Sequence, residues 1–371
     1  MERYDVAIVG GGPAGSATAI NLARLGRRVL LADSAPIGRF RVGEGFPPRA
    51  RSLLADLGVL DGFLAAGHRP SYGNLSVWGS DEPHMDDFIF QTQGRGYQLD
   101  RLAFDTQLRA TARQLGVAVH EATRLVATPR EAGFSLRLAS ADGERQAECR
   151  WLIDAGGRPA VLARQQGAQR QVEDRLTAFY LLLHSRQDTD RDGRTLVEAV
   201  ENGWWYSVLL PSGERLVTFL GDLDLLDRQT LLSGDGLWQQ LAHTRLLSAL
   251  CREHGYQPGS SVQGMDAASG QLSQFHGEHW TAVGDAALAF DPLSSQGIAT
   301  ALYCGQYCAR AVHATLNGER EALPTYADLL RRIYSAYLGN RQQFYGMEKR
   351  WGESTFWKRR QPLPVRAQGA K

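Results

Sequence analysis

Lysine is nearly missing from this 371-residue chain: it occurs only at Lys349, Lys358 and Lys371, although lysine and arginine together number 41. Acidic residues number 40, so the formal net charge is +1. That balance supplies no overall attraction for nucleic acid or for an anionic membrane surface. Cysteine is scarce as well, with four residues at 149, 251, 304 and 308, too few and too scattered for a disulfide scaffold. Cys304 and Cys308 stand four apart in a helical pattern, yet no further Cys or His completes a ligand set. They read as small apolar side chains, and no metal is expected. No apolar run approaches the roughly 20 residues of a membrane span, and the N-terminus lacks the basic and apolar segments of a leader peptide. The expectation is a chain without a membrane span, in the reducing cytoplasm. Repeats and low-complexity segments are also missing.

What is present is ordered α/β material. DVAIV, residues 5–9, is a short β-branched run suited to a buried parallel strand. GGGPAG follows, SATAINLARLG has helical spacing, and RRVLLAD supplies a second strand, together one βαβ unit. GFPPRARSLLADLGVLDGFLAAG reads as helix opened by two prolines and broken near Gly58. NLSVWG and DFIFQT suggest antiparallel strands, and LDRLAFDTQLRATARQLG is an amphipathic helix ending at Gly116. A β-meander leads to ECRWLIDAGG. Strand patterns recur in LTAFYLLLHS, LVEAVENGWWYSVLLPSG and RLVTFLGD, followed by a helical stretch near 231–250 and a strand in HWTAVGDAA. The last segment, QPLPVRAQGAK, reads as a frayed tail. The α/β pieces at both ends and in the middle predict two interleaved domains. The first comprises 1–70, 96–170 and 276–330. The second, β-rich, comprises 71–95 and 171–275, and a C-terminal helical segment and tail covers 331–371.

Two stretches carry chemistry. Gly10-Gly11-Gly12-Pro13-Ala14-Gly15 fits G-x-G-x-x-G between strand and helix. Gly10 allows the tight turn, Gly12 lets backbone approach a pyrophosphate, and Gly15 lets helix and strand pack closely. The helix N-terminus offers N–H groups and a positive dipole end. Asp33 closes the second strand, placed to accept from ribose hydroxyls. Dinucleotide binding follows. The second stretch, GDAALAFDPLSSQGIATAL (284–302), sets Gly-Asp, Asp-Pro and Ser-Ser-Gln-Gly ahead of a helix. Pro292 fixes φ, Ser294 and Ser295 can cap, and Gly297 leaves room for a close approach.

With Asp154-Ala155-Gly156-Gly157-Arg158 and Arg164, and with Gly284-Asp285 followed by Pro292, the chain resembles the FAD-dependent monooxygenases of the p-hydroxybenzoate hydroxylase type. That family includes the flavin-dependent halogenases. The resemblance spans residues 5 to about 315 and implies a Rossmann-like FAD-binding domain interleaved with a β-rich substrate domain, closed by C-terminal helices. It implies FAD contacts from Gly10, Gly12, Pro13, Ala14, Gly15, Asp33, Arg41, Gly43, Arg101, Asp154, Gly156, Gly284 and Asp285, the last on the ribityl chain. It also implies that Pro292, Ser295, Gly297 and Ile298 face the flavin ring, where the helix dipole stabilises negative charge on reduction. GEGFPPRARSLLADLG is similar to the GES-x-PP helix of the tryptophan-halogenase branch, and GWWYSVLLPSG imperfectly to its Trp-x-Trp-x-x-Pro strand. YGMEKRW, FWKRR and DPLSSQGI are most similar to LodB/GoxB-like flavoproteins, implicated in oxidising a partner's tryptophan to build cysteine tryptophylquinone.

Halogenases of that branch use a lysine in their N-terminal part, and residues 1–348 contain none. Arginine stays protonated and cannot take over amine chemistry. Oxygen insertion or oxidation remains, with O2 as co-substrate and NAD(P)H or a flavin reductase as electron source. Glu44 is the candidate acid or base. Trp204 and Trp205, with Tyr206, are expected to line one face above the flavin and stack an aromatic substrate. A protein substrate (a quinoprotein precursor) is the leading expectation. The alternatives are a small-molecule phenol or indole hydroxylase, an isoprenoid reductase, and an FAD-dependent binding subunit without turnover. YGMEKRWGESTFWKRR is expected to pack its aromatics back onto the protein.

Overall fold

A computed structural model describes residues 1–38, 40–88 and 94–361. Strand Glu2–Val9 lies at the middle of an eight-stranded sheet, hydrogen-bonded in parallel to Val29–Ala32 on one side and to Gly143–Asp154 on the other. Trp280–Ala282 adds in parallel beyond Gly143–Asp154, and Ala118–His120 beyond Val29–Ala32. Both faces of the central strands are covered, so their residues are apolar without alternation; Val6, Ala7 and Ile8 are fully buried. The two helices Pro13–Arg24 and Gly297–Leu316 pack against each other on this sheet, with Gly305 lying close to the Ala14 carbonyl and the Ala17 side chain. The meander Arg124–Arg130, Gly133–Ser140 joins antiparallel to Gly143–Asp154, which thereby serves both halves of the sheet.

The second domain is another eight-stranded sheet, mostly antiparallel. Its centre is Leu176–Ser185, Arg215–Asp222, Gly203–Leu209 and Thr195–Val200, and the last of these pairs in parallel with Gly73–Val77. Strands from two distant parts of the chain thus share one sheet. One face is covered by Arg228–Leu232, Gly234–Ala242 and Leu246–Glu253, three short helices where the sequence suggested one helical stretch. Ser233 caps the second helix, and Glu198 of the sheet accepts from the Arg245, Leu246 and Leu247 N–H groups at the start of the third, which explains the two breaks. Two small three-stranded sheets bind the domains together, one of Gly45–Phe46, Gly96–Gln98 and Arg69–Ser71, the other of Arg170–Val172, Gly270–Leu272 and Leu288–Ala289.

Helix Ala322–Met347 runs without interruption through residue 330, where the sequence reading had set a boundary. Its buried tyrosines, Tyr326, Tyr334, Tyr337 and Tyr345, anchor it to both domains. Beyond it, Phe356 and Trp357 are fully buried, and the Trp357 indole donates to the Val200 carbonyl at 3.0 Å. Arg360 and Arg359 pair with the buried Asp222. The C-terminal aromatics therefore pack inward. Most of DFIFQT and all but the first residue of QPLPVRAQGAK lie outside the described residues. All four cysteines are buried and free, and no metal-ligating cluster exists among the described residues.

Candidate active site

Sheet register brings the sequence motifs together. Val9 stands opposite Ala32 and Asp154, and Asp154 stands opposite Ala282. The loops that begin at Gly10, Asp33, Ala155 and Val283 therefore leave the sheet along one edge. That edge holds the carboxyl ends of the parallel strands, where open α/β sheets bind ligands.

The glycines on this edge are required by close approach. Gly10 has φ +108°, and a Cβ there would lie 2.1 Å from the Ala155 carbonyl oxygen. A Cβ on Gly15 would lie 1.9 Å from the Gly10 carbonyl oxygen, and one on Gly284 2.5 Å from the Ala14 Cβ. Gly12 differs, because the nearest atom to its Cβ position is Arg41 Nη1 at 3.8 Å. Its backbone faces open space bordered by a cation. Pro13 takes the first helical position, where a missing N–H removes no helical bond.

Asp33 accepts from the Gly11 and Ala35 N–H groups at 3.1 and 2.9 Å and pairs with Arg41 at 3.1 Å. Arg41 also pairs with Asp105 at 3.3 Å. Arg101 holds the neighbouring loop, donating to the Val42 and Gly43 carbonyls at 2.8 and 3.1 Å while pairing with Asp105. A shallow surface cleft, lined in part by Asp33, Ile37, Arg41, Arg101 and Glu121, opens here. Asp154 is buried, and its two oxygens accept from the Gly156 and Ala163 N–H groups, both at 2.9 Å. It shapes the loop beside Gly10, and burial raises its pKa. Arg158 donates to the Phe290 carbonyl at 2.7 Å and lies 3.8 Å from Asp285, whereas Arg164 is exposed on a surface helix.

Further along the edge, Asp291 is 1% exposed and accepts from the Leu293 N–H at 2.9 Å. Asp291 thus caps the short turn Pro292–Ser294, while the long helix that follows has Gln296 at its N-cap with no side-chain cap, so neither Ser294 nor Ser295 caps it as the sequence suggested. Ser295 instead adopts φ +48° in the left-handed region, a strained position for a residue with a Cβ. The 20-residue helix Gly297–Leu316 then begins, and a Cβ on Gly297 would meet no protein atom within 4 Å. Open space over Gly12 and Gly297, the Arg41–Asp33 pair and a long helix N-terminus fit an extended dinucleotide. In such a fit, Asp33 would hold the adenosine end, Gly12 the pyrophosphate, and Pro292–Ile298 the ring.

Glu44 enters the small sheet at Gly45–Phe46 and is 2% exposed. Its Oε1 accepts from the Gly43 N–H at 2.7 Å, and the Tyr206 hydroxyl donates to Oε2 across a long 3.4 Å. Burial raises the Glu44 carboxyl to about 7, against the opposing pull of backbone donors and Arg101. The same burial, together with Glu44, raises Tyr206. A carboxyl poised near neutrality suits proton transfer.

Trp204, Trp205 and Tyr206 do not share a face, which corrects the sequence expectation. Alternation along Gly203–Leu209 sends Trp205 into the core under the helices of the second domain, beside Phe219. It is fully buried, and its indole N–H has no partner. Trp204, on the opposite face, is also fully buried and donates to the Tyr345 hydroxyl at 2.9 Å. Only Tyr206 reaches Glu44. Sequence reasoning also missed Tyr345 and the capping by Asp291. Asp291 stands directly before a proline, which is a usable turn signal, but nothing local marks Tyr345 as its partner.

Three known proteins place this geometry. The chain is 32% identical to the putative FAD-dependent oxidoreductase LodB of Marinomonas mediterranea, over 97% of each chain. The peptidyl tryptophan dihydroxylase QhpG, essential for tryptophylquinone cofactor biogenesis, superposes with a TM-score of 0.81 and 25% identity, covering 99% of this chain and 81% of that one. The FAD-dependent halogenase CndH shares the fold, with a TM-score of 0.88 and 24% identity over 99% of this chain and 87% of that one. The FAD binding domain family matches residues 3–338. The chain belongs to that family, and it is a LodB-like, FAD-dependent oxidoreductase.

Proposed function

We propose that this flavoprotein hydroxylates or otherwise oxidises a tryptophan side chain of a partner protein, a quinoprotein precursor, during quinone-cofactor maturation. O2 is the co-substrate, and NAD(P)H or a separate flavin reductase supplies electrons. The observation that carries the reading is the likeness over 99% of this chain to a peptidyl tryptophan dihydroxylase. When bound, the flavin supplies the activation of oxygen, and the protein supplies binding, orientation and proton control.

Residues of several loops divide that work. Asp33 and Arg41 hold the adenosine diphosphate end, Gly12 leaves its phosphates room, and Asp285 stands for the ribityl chain. Gly284, by its close packing on Ala14, fixes where Asp285 starts. The helix N-terminus at Gly297 would stabilise negative charge on a ring bound beside it. Glu44, which accepts from the Gly43 N–H on Oε1 and more weakly from the Tyr206 hydroxyl on Oε2, holds and passes the proton. Halogenation is disfavoured by residue type, because lysine is absent from residues 1–348.

The test is turnover of the FAD-loaded protein with a reductant, offering tryptophan-containing polypeptides from the native host alongside free phenols, indoles and a quinone. Oxygen gain on a polypeptide tryptophan supports the proposal. Turnover of free phenols or indoles alone replaces it with small-molecule hydroxylation, and reduction of an isoprenoid quinone alone replaces it with reductase chemistry. A flavin that never changes redox state overturns all three.

A further inference from the structure

Tyr345 is held in an unusual set of contacts for a buried tyrosine. Its hydroxyl donates to Asp291 Oδ2 at 2.7 Å and accepts from the Trp204 indole N–H at 2.9 Å. The Arg360 and Arg341 guanidinium carbons lie 5.2 and 5.3 Å from its ring centroid. Asp291 begins the turn at Pro292–Ile298 that the FAD fit sets beside the flavin ring. On the far side, the Tyr345 ring lies 5.7 Å from that of Trp78, which is itself 5.3 Å from Trp357 and 6.1 Å from Trp204. Trp78 is partly exposed, and its indole donates to the Phe344 carbonyl at 2.8 Å.

These contacts favour one redox event. Two cations over the ring penalise a positive charge on it, so Tyr345 loses an electron readily only if it also loses its proton. Asp291 is in place to take that proton, and Trp204 stabilises the oxygen left behind. Burial raises the Asp291 carboxyl, which makes it a better base, while Arg341, the Leu293 N–H and the Tyr345 hydroxyl oppose that rise. Trp351 is also partly exposed, but the Arg350 guanidinium sits 4.3 Å from its ring centroid and disfavours a hole there. Among the described residues, no guanidinium stacks over the Trp78 ring.

We propose that Tyr345 and Trp78 form an outlet that carries oxidising equivalents from the flavin turn to the protein surface. A one-electron oxidant formed at the flavin (a reactive oxygen species during idle turnover, the light-excited flavin in the test) takes one electron from Tyr345. The phenolic proton moves to Asp291 Oδ2, leaving a neutral phenoxyl radical. The hole rests on Tyr345; when Trp78 gives it an electron, the proton returns from Asp291 to the phenol oxygen and the Trp78 indole is left as a short-lived radical cation. A soluble reductant such as ascorbate or a thiol gives the electron that restores Trp78. The outlet protects the site when no substrate is bound, and it does not depend on which substrate is oxidised.

Flash excitation of the FAD-loaded full chain, without substrate, tests this by transient absorption of tyrosyl and indolyl radicals. The expected wild-type signal is a tyrosyl radical whose decay speeds up with added ascorbate. W78F should leave a tyrosyl signal that has lost its ascorbate dependence, and Y345F should lose the long-lived radical. A tyrosyl signal whose ascorbate dependence is unchanged in W78F overturns the proposal, and so does a wild type with no protein radical. Should Y345F fail to fold, W78F decides alone. Because no substrate is present, either result stands apart from the outcome of the tryptophan-oxidation assay.

Discussion

Replacing Glu44 by glutamine gives a pH-dependent test of the buried carboxyl. Glutamine has nearly the shape of the protonated acid, can still accept from the Gly43 N–H, and carries no ionisable proton. Native Glu44 is raised from 4.5 to about 7 by burial. A raised carboxyl binds a proton more tightly when folded, so the folded state is favoured at low pH. That advantage is lost as pH rises through the window between these two values. One pKa unit corresponds to about 1.4 kcal/mol, so the whole window is worth on the order of 3 kcal/mol. The E44Q protein should therefore match the wild type in stability at pH 5 and exceed it by up to about 3 kcal/mol at pH 8. Denaturant unfolding of the FAD-loaded proteins at the two pH values measures this. If E44Q is destabilised equally at both, Glu44 is an ordinary charged residue and its proposed proton role falls. Turnover should fall in E44Q at every pH, because the proton can no longer move.

Other substitutions separate cofactor contact from folding. G297A should fold normally and bind FAD more weakly, since a Cβ there meets no protein atom within 4 Å; FAD fluorescence titration against unfolding of the apoprotein reads both. G15A should fail to fold or lose several kcal/mol, roughly the upper range for overpacking, because its Cβ would lie 1.9 Å from the Gly10 carbonyl oxygen. W205F should leave FAD affinity and turnover unchanged. Its lost packing, about 1–3 kcal/mol, is offset by removal of an unpartnered buried N–H of similar magnitude, and thermal unfolding should shift little. D222A strands Arg360 in the interior and should cost about 3–5 kcal/mol, visible as release of the C-terminal segment to proteolysis.

Legibility in the sequence followed the range of the interaction. The strand–GGGPAG–helix unit was readable because a tight turn, a close backbone approach and a buried parallel strand each demand particular residues within a short window. Residue 33 was readable for the same reason: it ends the next strand. The joining of 73–77 with 195–200 in one sheet rests on pairing between distant segments, which no local pattern specifies. The Trp204–Tyr345–Asp291 chain is hidden for that reason too. Strand alternation was the available signal that the sequence reading passed over. Three consecutive aromatics in a strand cannot share a face, so Trp205 had to part company with Trp204 and Tyr206. The short turn capped by Asp291 inserts itself ahead of the long helix, and with Ser295 at φ +48° after it, neither serine caps that helix, which local capping propensity could not foresee.

The most direct measurement of the central claim is mass spectrometry of tryptophan-containing peptides from the native host, comparing wild-type cells with cells lacking this protein, under isotopically labelled oxygen. The account predicts a partner protein with a tryptophan that gains labelled oxygen only when this flavoprotein is present. Identical tryptophan peptides in both cells, with labelled oxygen found instead on a free aromatic metabolite, would contradict it.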